Sequence, residues 1–224
     1  MFTVGAVYTA DAIVGVISDI FKDELPDCRL INVVDSGLIP DIIRDGGVTV
    51  GTARRLLHCC MAAQDAGVDV ILNTCSSVGE VADHAQCFIA TPILKIDAPM
   101  ARQAVASSAR IGVLATLPST LTPTMNLVRR EAARAGKEVT IVDGLAEGAF
   151  EALTGGSPEQ HDRILTETAV RVAPKVDTIV LAQGSMARMA DTLAKETGRT
   201  VLSSPRSGVI AVREYLERLP GVGA

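Results

Sequence analysis

The chain has 224 residues, and its 21 Lys and Arg against 26 Asp and Glu leave a net charge of −5 near neutral pH. Hydrophobic residues make up 48% and aromatics only 3%, with no Trp, so any core rests on Val, Ile, Leu and Ala, the profile of buried parallel strands under Ala-rich helices. There is no basic stripe for nucleic acid, no apolar run of the roughly 18 residues a spanning helix needs, and no basic leader before the first strand-like run, which predicts a soluble cytoplasmic protein with no nucleic-acid or membrane partner.

In chain order, the first half predicts strands at 2–8, 29–34, 68–73 and 87–91, with helices at 10–24, 49–66 and 78–85. The stretch 36–47, SGLIPDIIRDGG, has no clear period and reads as a surface loop. The second half predicts strands at 110–115, 138–142, 176–182 and 200–203, and helices at 98–107, 120–135, 145–153, 158–173, 185–197 and 207–218. Gly67, Gly136 and Gly198 stand where a left-handed residue closes a helix, and Ser157-Pro158 reads as a cap followed by the first helical residue. Alternation of strand and helix predicts α/β architecture with parallel sheets.

The chain also resembles itself. Residues 69–83, DVILNTCSSVGEVAD, align without a gap on 177–191, DTIVLAQGSMARMAD, with five identities in fifteen positions at an offset of 108. The same offset pairs VVDS (33–36) with IVDG (141–144), and an offset of 107 pairs VGAVYT (4–9) with IGVLAT (111–116). One folding unit repeated twice accounts for all three. The expectation is two pseudo-symmetric doubly wound parallel-sheet lobes, 1–97 plus 203–224 and 98–202, with the site between them.

Ligands in open α/β sheets bind beyond the carboxyl ends of the strands, which directs attention to the loops there. Asn73-Thr74-Cys75-Ser76-Ser77 ends a buried strand and opens a helix. Helix N-terminal N–H groups depress a thiol pKa, so Cys75 is the candidate base or nucleophile, with hydroxyls of Thr74, Ser76 and Ser77 as hydrogen-bond donors. The plainer alternative is a capping turn containing an incidental cysteine. Gln183-Gly184-Ser185 is the equivalent loop of the second half; Gln183 exchanges hydrogen bonds but no proton at neutral pH. Thr116, Ser119 and Thr120 follow another strand, Tyr8 and Thr9 stand at the matching place in the first half, and Arg206 is a candidate partner for a carboxylate. His58, His84 and His161 lie outside these loops and read as structural or surface residues, and Cys28, Cys59, Cys60 and Cys87 as buried, reduced thiols without zinc spacing.

These residues carry a likeness. In NTCSSVGE (73–80), IGVLAT with the following ST (111–116, 119–120) and VLAQGSMA (180–187), the chain resembles the aspartate/glutamate racemase superfamily, with its hydantoin racemase, maleate isomerase and arylmalonate decarboxylase relatives. The resemblance implies a two-lobed α/β enzyme acting on a small carboxylate without metal, nucleotide or pyridoxal cofactor, and we expect a homo-oligomer. It implies proton transfer by two cysteines on opposite faces of a substrate carbon. Cys75 falls on the first cysteine position, with Ser76, Ser77, Thr116, Ser119 and Thr120 on carboxylate-binding positions. Gln183 stands where the second thiol belongs, and Tyr8-Thr9 where glutamate racemases carry an acidic residue. The expectation is therefore an isomerase-like or racemase-like enzyme with a single catalytic cysteine. Alternatives are a single-cysteine decarboxylase or lyase, or a carboxylate-binding protein without catalysis.

Overall fold

In the computed structural model, which describes residues 1–219, the apolar runs form eight strands in two parallel four-stranded sheets. The elements of the first half are β1 (Thr3–Tyr8), α1 (Val14–Glu24), β2 (Arg29–Val34), α2 (Leu38–Arg44), α3 (Val50–Asp65), β3 (Val70–Asn73), α4 (Gly79–Ala85) and β4 (Ile93–Lys95). Those of the second are α5 (Ala98–Ser107), β5 (Arg110–Ala115), α6 (Pro118–Arg134), β6 (Thr140–Leu145), α7 (Ala149–Thr154), α8 (Pro158–Val172), β7 (Thr178–Leu181), α9 (Ala190–Thr197), β8 (Thr200–Ser203) and α10 (Ser204–Leu216). Two compact units result, Met1–Asp97 with the segment from Pro205 onward, and Ala98–Ser204.

The sheets share one strand order, β2-β1-β3-β4 and β6-β5-β7-β8. In the first unit, alternate residues of β1 feed two cores, as the pleat requires. Val4, Ala6 and Tyr8 pack with Ile17 and Phe21 of α1 and with Val209, Val212 and Leu216 of α10. Val7 packs on the opposite side with Leu38 and Ile42 of α2 and with Leu56, Cys60 and Ala63 of α3. In the second unit, Ile111, Val113 and Ala115 of β5 pack with Met100 and Ala104 of α5 and with Leu127 and Val128 of α6, while Leu114 meets Leu165 and Ala169 of α8. The repeated glycines have a shared use. A Cβ added at Gly5 would stand 3.0 Å from the Ala63 side chain, and one at Gly112 would stand 2.8 Å from Val172, so each central strand is glycine where a helix comes closest.

Gly67, Gly136 and Gly198 do take the left-handed conformation, with φ of 73°, 62° and 64°. Other details differ from expectation. Residues 36–47 contain α2: Leu38 and Ile42, one turn apart, are fully buried, and Asp41 is ion-paired to Arg55 of α3, but seven residues are too few to display a period. Residues 87–91 are not a strand. Cys87, Phe88 and Ile89 instead fold back on the end of α4, with Phe88 N–H and Ile89 N–H donating to the Ala85 carbonyl at 2.9 and 3.0 Å, and Phe88 is 76% exposed. The strand itself starts after Pro92. Asp143 and Gly144 belong to β6 rather than to the loop beyond it. Pro158 opens α8 as expected, yet the Ser157 side chain caps nothing; its backbone N–H donates to the Ala152 carbonyl at 2.8 Å and closes the preceding turn. No helix among the described residues is long and apolar enough to cross a membrane.

The segment leading out of β4 is held from two sides. The Ile96 N–H donates to the Asn73 carbonyl at 3.0 Å, and α10 crosses so closely that a Cβ at Gly208 would stand 2.7 Å from the Ile96 carbonyl oxygen. Gly208→Ala is therefore expected to destabilise the protein by about 1–3 kcal/mol, the usual range for overpacking. Gly15→Ala, in α1 with nothing within 4 Å of the new methyl, is expected to stabilise by about 0.4–1 kcal/mol. Chemical denaturation of both variants checks the contrast; equal midpoints would show that α10 has room to shift.

Candidate active site

Parallel register decides what meets at the strand ends of the first unit. Val7 pairs with Asn73, and Asn73 with Lys95. Two residues further along each strand lie Thr9, Cys75 and Asp97. Cys75 is extended, with φ −125° and ψ 121°, and immediately precedes a 3-10 turn, Ser76–Val78, that runs into α4. The Thr9 and Ser77 hydroxyls and the Ser77 and Val78 backbone N–H groups are the donors around its sulfur, and each favours the thiolate. Asn73 braces the same loop, its Nδ2 donating to the Cys75 carbonyl at 2.9 Å. The Asn73 Oδ1 is buried without a partner.

These donors favour a thiolate, but burial opposes them and wins: the Cys75 pKa is raised above the ordinary thiol value, with desolvation the largest cause. This corrects the expectation of a depressed pKa. A helix N-terminus lowers a thiol pKa where solvent or a strong dipole compensates the lost hydration; here a 3-10 turn of three residues stands in for a helix start, and the sulfur is only partly accessible. In the ligand-free state Cys75 is thus a neutral thiol at neutral pH. Burial also raises Cys28 and Cys59, and pushes Cys60 up to about 12, whereas Cys87, expected to be buried, is exposed because it lies in the turn after α4 and not beside a strand.

The hydroxyls divide their work. Thr74 donates to the Val7 carbonyl at 2.9 Å and ties β3 to β1. Ser76 is bonded to the carboxyl of Asp97. Only Thr9 and Ser77 of this group reach the sulfur. Tyr8 lies apart from them, fully buried in the core on the α1 side, with its hydroxyl donating to Asn32 Oδ1 at 3.1 Å. Arg206 lies apart as well, on the surface beside α1, where it pairs with Asp23 at 3.0 Å and with Glu24.

Asp97 is the residue that sequence reasoning passed over. It is 3% exposed, and burial raises its pKa against the lowering effects of Ser76 and Lys95. The signal was available: an acidic residue directly after a strand and before Ala98-Pro99. Placing the strand at 87–91 moved the strand end away from it.

In the second sheet the paired residues Leu114, Leu181 and Ser203 lead on to Thr116, Gln183 and Pro205, the last already within α10. Gln183 is locked to Thr116: the Thr116 N–H donates to Gln183 Oε1 at 2.8 Å, and Gln183 Nε2 donates to Thr116 Oγ1 at 2.7 Å. The pair Thr116–Gln183 thus repeats the pair Thr9–Cys75. Gly184 and Ser185 open the 3-10 turn Gly184–Met189 and are half-buried. Ser119 and Thr120 lie in the first turn of α6; Thr120 is buried, and the Ser119 hydroxyl is buried without a partner. His161, expected as a structural or surface residue, is buried, with its Nδ1 2.7 Å from Asp162, which Arg188 also holds.

The whole of this arrangement lies within a recognisable family. The family model described as Asp/Glu/Hydantoin racemase matches residues 8–212. No curated protein is matched by the sequence. Among solved structures, glutamate racemase from Francisella tularensis in complex with D-glutamate is similar at 15% identity, with 96% of this chain and 81% of that one covered and a TM-score of 0.78. Allantoin racemase from Klebsiella pneumoniae is similar at 18% identity, covering 96% and 88%, with a TM-score of 0.71. A liganded double mutant of arylmalonate decarboxylase, one glycine changed to cysteine and one cysteine to serine, is similar at 16% identity, covering 100% and 94%, with a TM-score of 0.58. At these identities the structures speak to the fold, and the family match spans most of the sequence: the chain belongs to the Asp/Glu/hydantoin racemase family.

Proposed function

We propose that this protein is a cofactor-independent enzyme that generates an enediolate at the α-carbon of a small carboxylate and protonates it on one face from Cys75. One contrast carries the reading: a half-buried thiol among four donors at the strand ends of one unit, where the corresponding strand end of the other unit carries Gln183. Family membership supports chemistry at a carbon next to a carboxylate. Arylmalonate decarboxylase, a structural neighbour, brings decarboxylation of a substituted malonate into consideration.

The protonation state selects the direction of transfer. A thiol whose pKa is raised is a poor resting base but is already in the form that donates. In decarboxylation of a substituted malonate, the bond from the α-carbon to one carboxylate breaks and carbon dioxide leaves. The electron pair stays as an enediolate on the remaining carboxylate. The Cys75 S–H proton then passes to the carbon, and the thiolate, held meanwhile by Thr9, Ser77 and the two backbone N–H groups, recovers a proton from water. Gln183 supplies hydrogen bonds without a second acid, so isomerisation or protonation from one face fits this chain better than two-base racemisation.

Incubation with substituted malonates and small dicarboxylates in D₂O, followed by NMR and chiral chromatography, is expected to give product labelled in one configuration. Rapid racemisation by the unmodified protein, or binding with no turnover of any member of the set, would sink the proposal. Cys75→Ala is expected to lower turnover by about 10²–10⁴-fold, the usual weight of a proton-transfer group.

The pH dependence has a definite sign. The protonated thiol is the working form, so kcat/KM should hold through neutral pH and fall only in the alkaline range, as pH rises past the raised Cys75 pKa. Iodoacetamide needs the thiolate, so alkylation of Cys75 should rise over the same interval; peptide mapping reads this directly. Activity that instead climbs in step with alkylation would identify Cys75 as a base.

Gln183→Cys places a thiol at the position equivalent to Cys75 and is expected to let racemised product appear. The gain is small, because a misplacement of about 1 Å costs roughly a hundredfold. The variant also strips the buried Thr116 N–H of its acceptor, with an expected stability loss of about 1–3 kcal/mol. Product of unchanged single configuration from a folded variant would count against Gln183 as the determinant.

A further inference from the structure

We propose that Asp97 is a positioning residue for Cys75, holding the turn that carries the thiol's donors through the hydroxyl of Ser76. Asp97 occupies the same register row as Thr9 and Cys75, two residues past Lys95 as Cys75 is two past its partner Asn73. Its carboxyl bonds Ser76, the residue directly after the thiol and the first of the 3-10 turn. The next two residues of that turn, Ser77 and Val78, present the backbone N–H groups that reach the sulfur. A chain of four consecutive residues thus links one buried carboxyl to the donor geometry at the thiol.

The anchor is rigid and otherwise unexplained. The segment carrying Asp97 is pinned by the Ile96 N–H on the Asn73 carbonyl at 3.0 Å and by the close passage of Gly208. The charged groups acting on Asp97 are Lys95 and Asp83, with opposite effects, and the Lys95 ammonium is bonded to Asp83 at 2.6 Å. Asp97 is thus a buried carboxyl engaged by the Ser76 side chain, an expensive placement for a charged group. The second sheet provides an internal comparison: Pro205, which follows β8 by the same two residues, has no carboxyl, and Gln183 closes the loop after β7 through Thr116. The unit with the thiol is the unit with the anchor.

This inference rests on Cys75 as the reacting group, but the test reads the thiol itself and needs no substrate, so its failure is separable from that of the proposed activity. The pH dependence of Cys75 alkylation by iodoacetamide is measured in the full chain carrying Asp97→Ala, Asp97→Asn, Ser76→Ala or the double alanine change, with exposed Cys87 as reference in the same molecules. Asp97→Ala and Ser76→Ala are each expected to slow Cys75 alkylation about tenfold at fixed pH and move its midpoint upward, as loss of a hydrogen bond to a charged group implies. Cys87 should be unaffected. Asp97→Asn keeps an acceptor oxygen and should stay within about threefold of the unmodified protein. The double variant should be no slower than either single one, because both remove the same link. Additive losses, an Asn variant as slow as the Ala variant, or Cys75 rates unchanged or faster would each overturn the proposal. Should Asp97→Ala fail to fold, Ser76→Ala and Asp97→Asn still decide between these outcomes.

Discussion

The feature on which the rest depends is the parallel register of β1, β3 and β4. Because β1, β3 and β4 run the same way and pair residue for residue, their ends arrive together, and the residues two steps beyond come into line. Thr9, Cys75 and Asp97 are 66 and 22 residues apart in sequence, yet they follow strands whose register aligns their ends, so that Thr9 reaches Cys75 and Asp97 reaches Ser76. No loop has to search for this geometry. Glycine at Gly5 lets a helix seat against the central strand, and the tie from Thr74 to Val7 fixes the point at which β3 leaves the sheet. The site is therefore as rigid as the sheet beneath it.

At the sulfur two effects compete. Four donors pull towards the thiolate, while removal from water pushes towards the thiol, and the second is larger. Had the sulfur been exposed at the start of a long helix, the same donors would have made a reactive anion. Buried, they hold a proton donor whose conjugate base is already accommodated. That combination suits a group that delivers a proton to a carbon and must survive as an anion for an instant afterwards.

Most of the scaffold was legible because its signals are local and repeated. Val/Ile/Leu runs of four to six residues, glycines after helices and a repeat at a constant offset require no tertiary knowledge. What escaped depended on partners distant in sequence. The run QCFIA looks like a strand by composition, but its N–H groups are taken by the end of α4 and Phe88 turns outward. The error hid Asp97, since the strand end was sought in the wrong place. The hydroxyls of Thr74 and Ser76 looked like ligand donors because sequence cannot tell a side chain that serves a neighbouring strand from one that faces a cleft. The direction of the Cys75 pKa was misread for a related reason: the donors are encoded next to the cysteine, whereas its burial is contributed by everything packed around it.

The repeat also clarifies what changed between the halves. In both units a threonine at the end of the central strand meets the residue at the start of the neighbouring strand's loop, Thr9 with Cys75 and Thr116 with Gln183. A thiol accepts from the threonine hydroxyl and leaves its own proton available. A glutamine carboxamide takes both the N–H and the hydroxyl of Thr116, and closes the loop with neutral hydrogen bonds. The difference is thus larger than the loss of one acid. It converts a strand end that can store and release a proton into one whose polar groups satisfy each other, while the matching strand end acquires, in Asp97, a buried carboxyl that its counterpart lacks. The two corresponding strand ends thus differ in kind: one carries the thiol of Cys75, with Asp97 near by, and the other a neutral carboxamide.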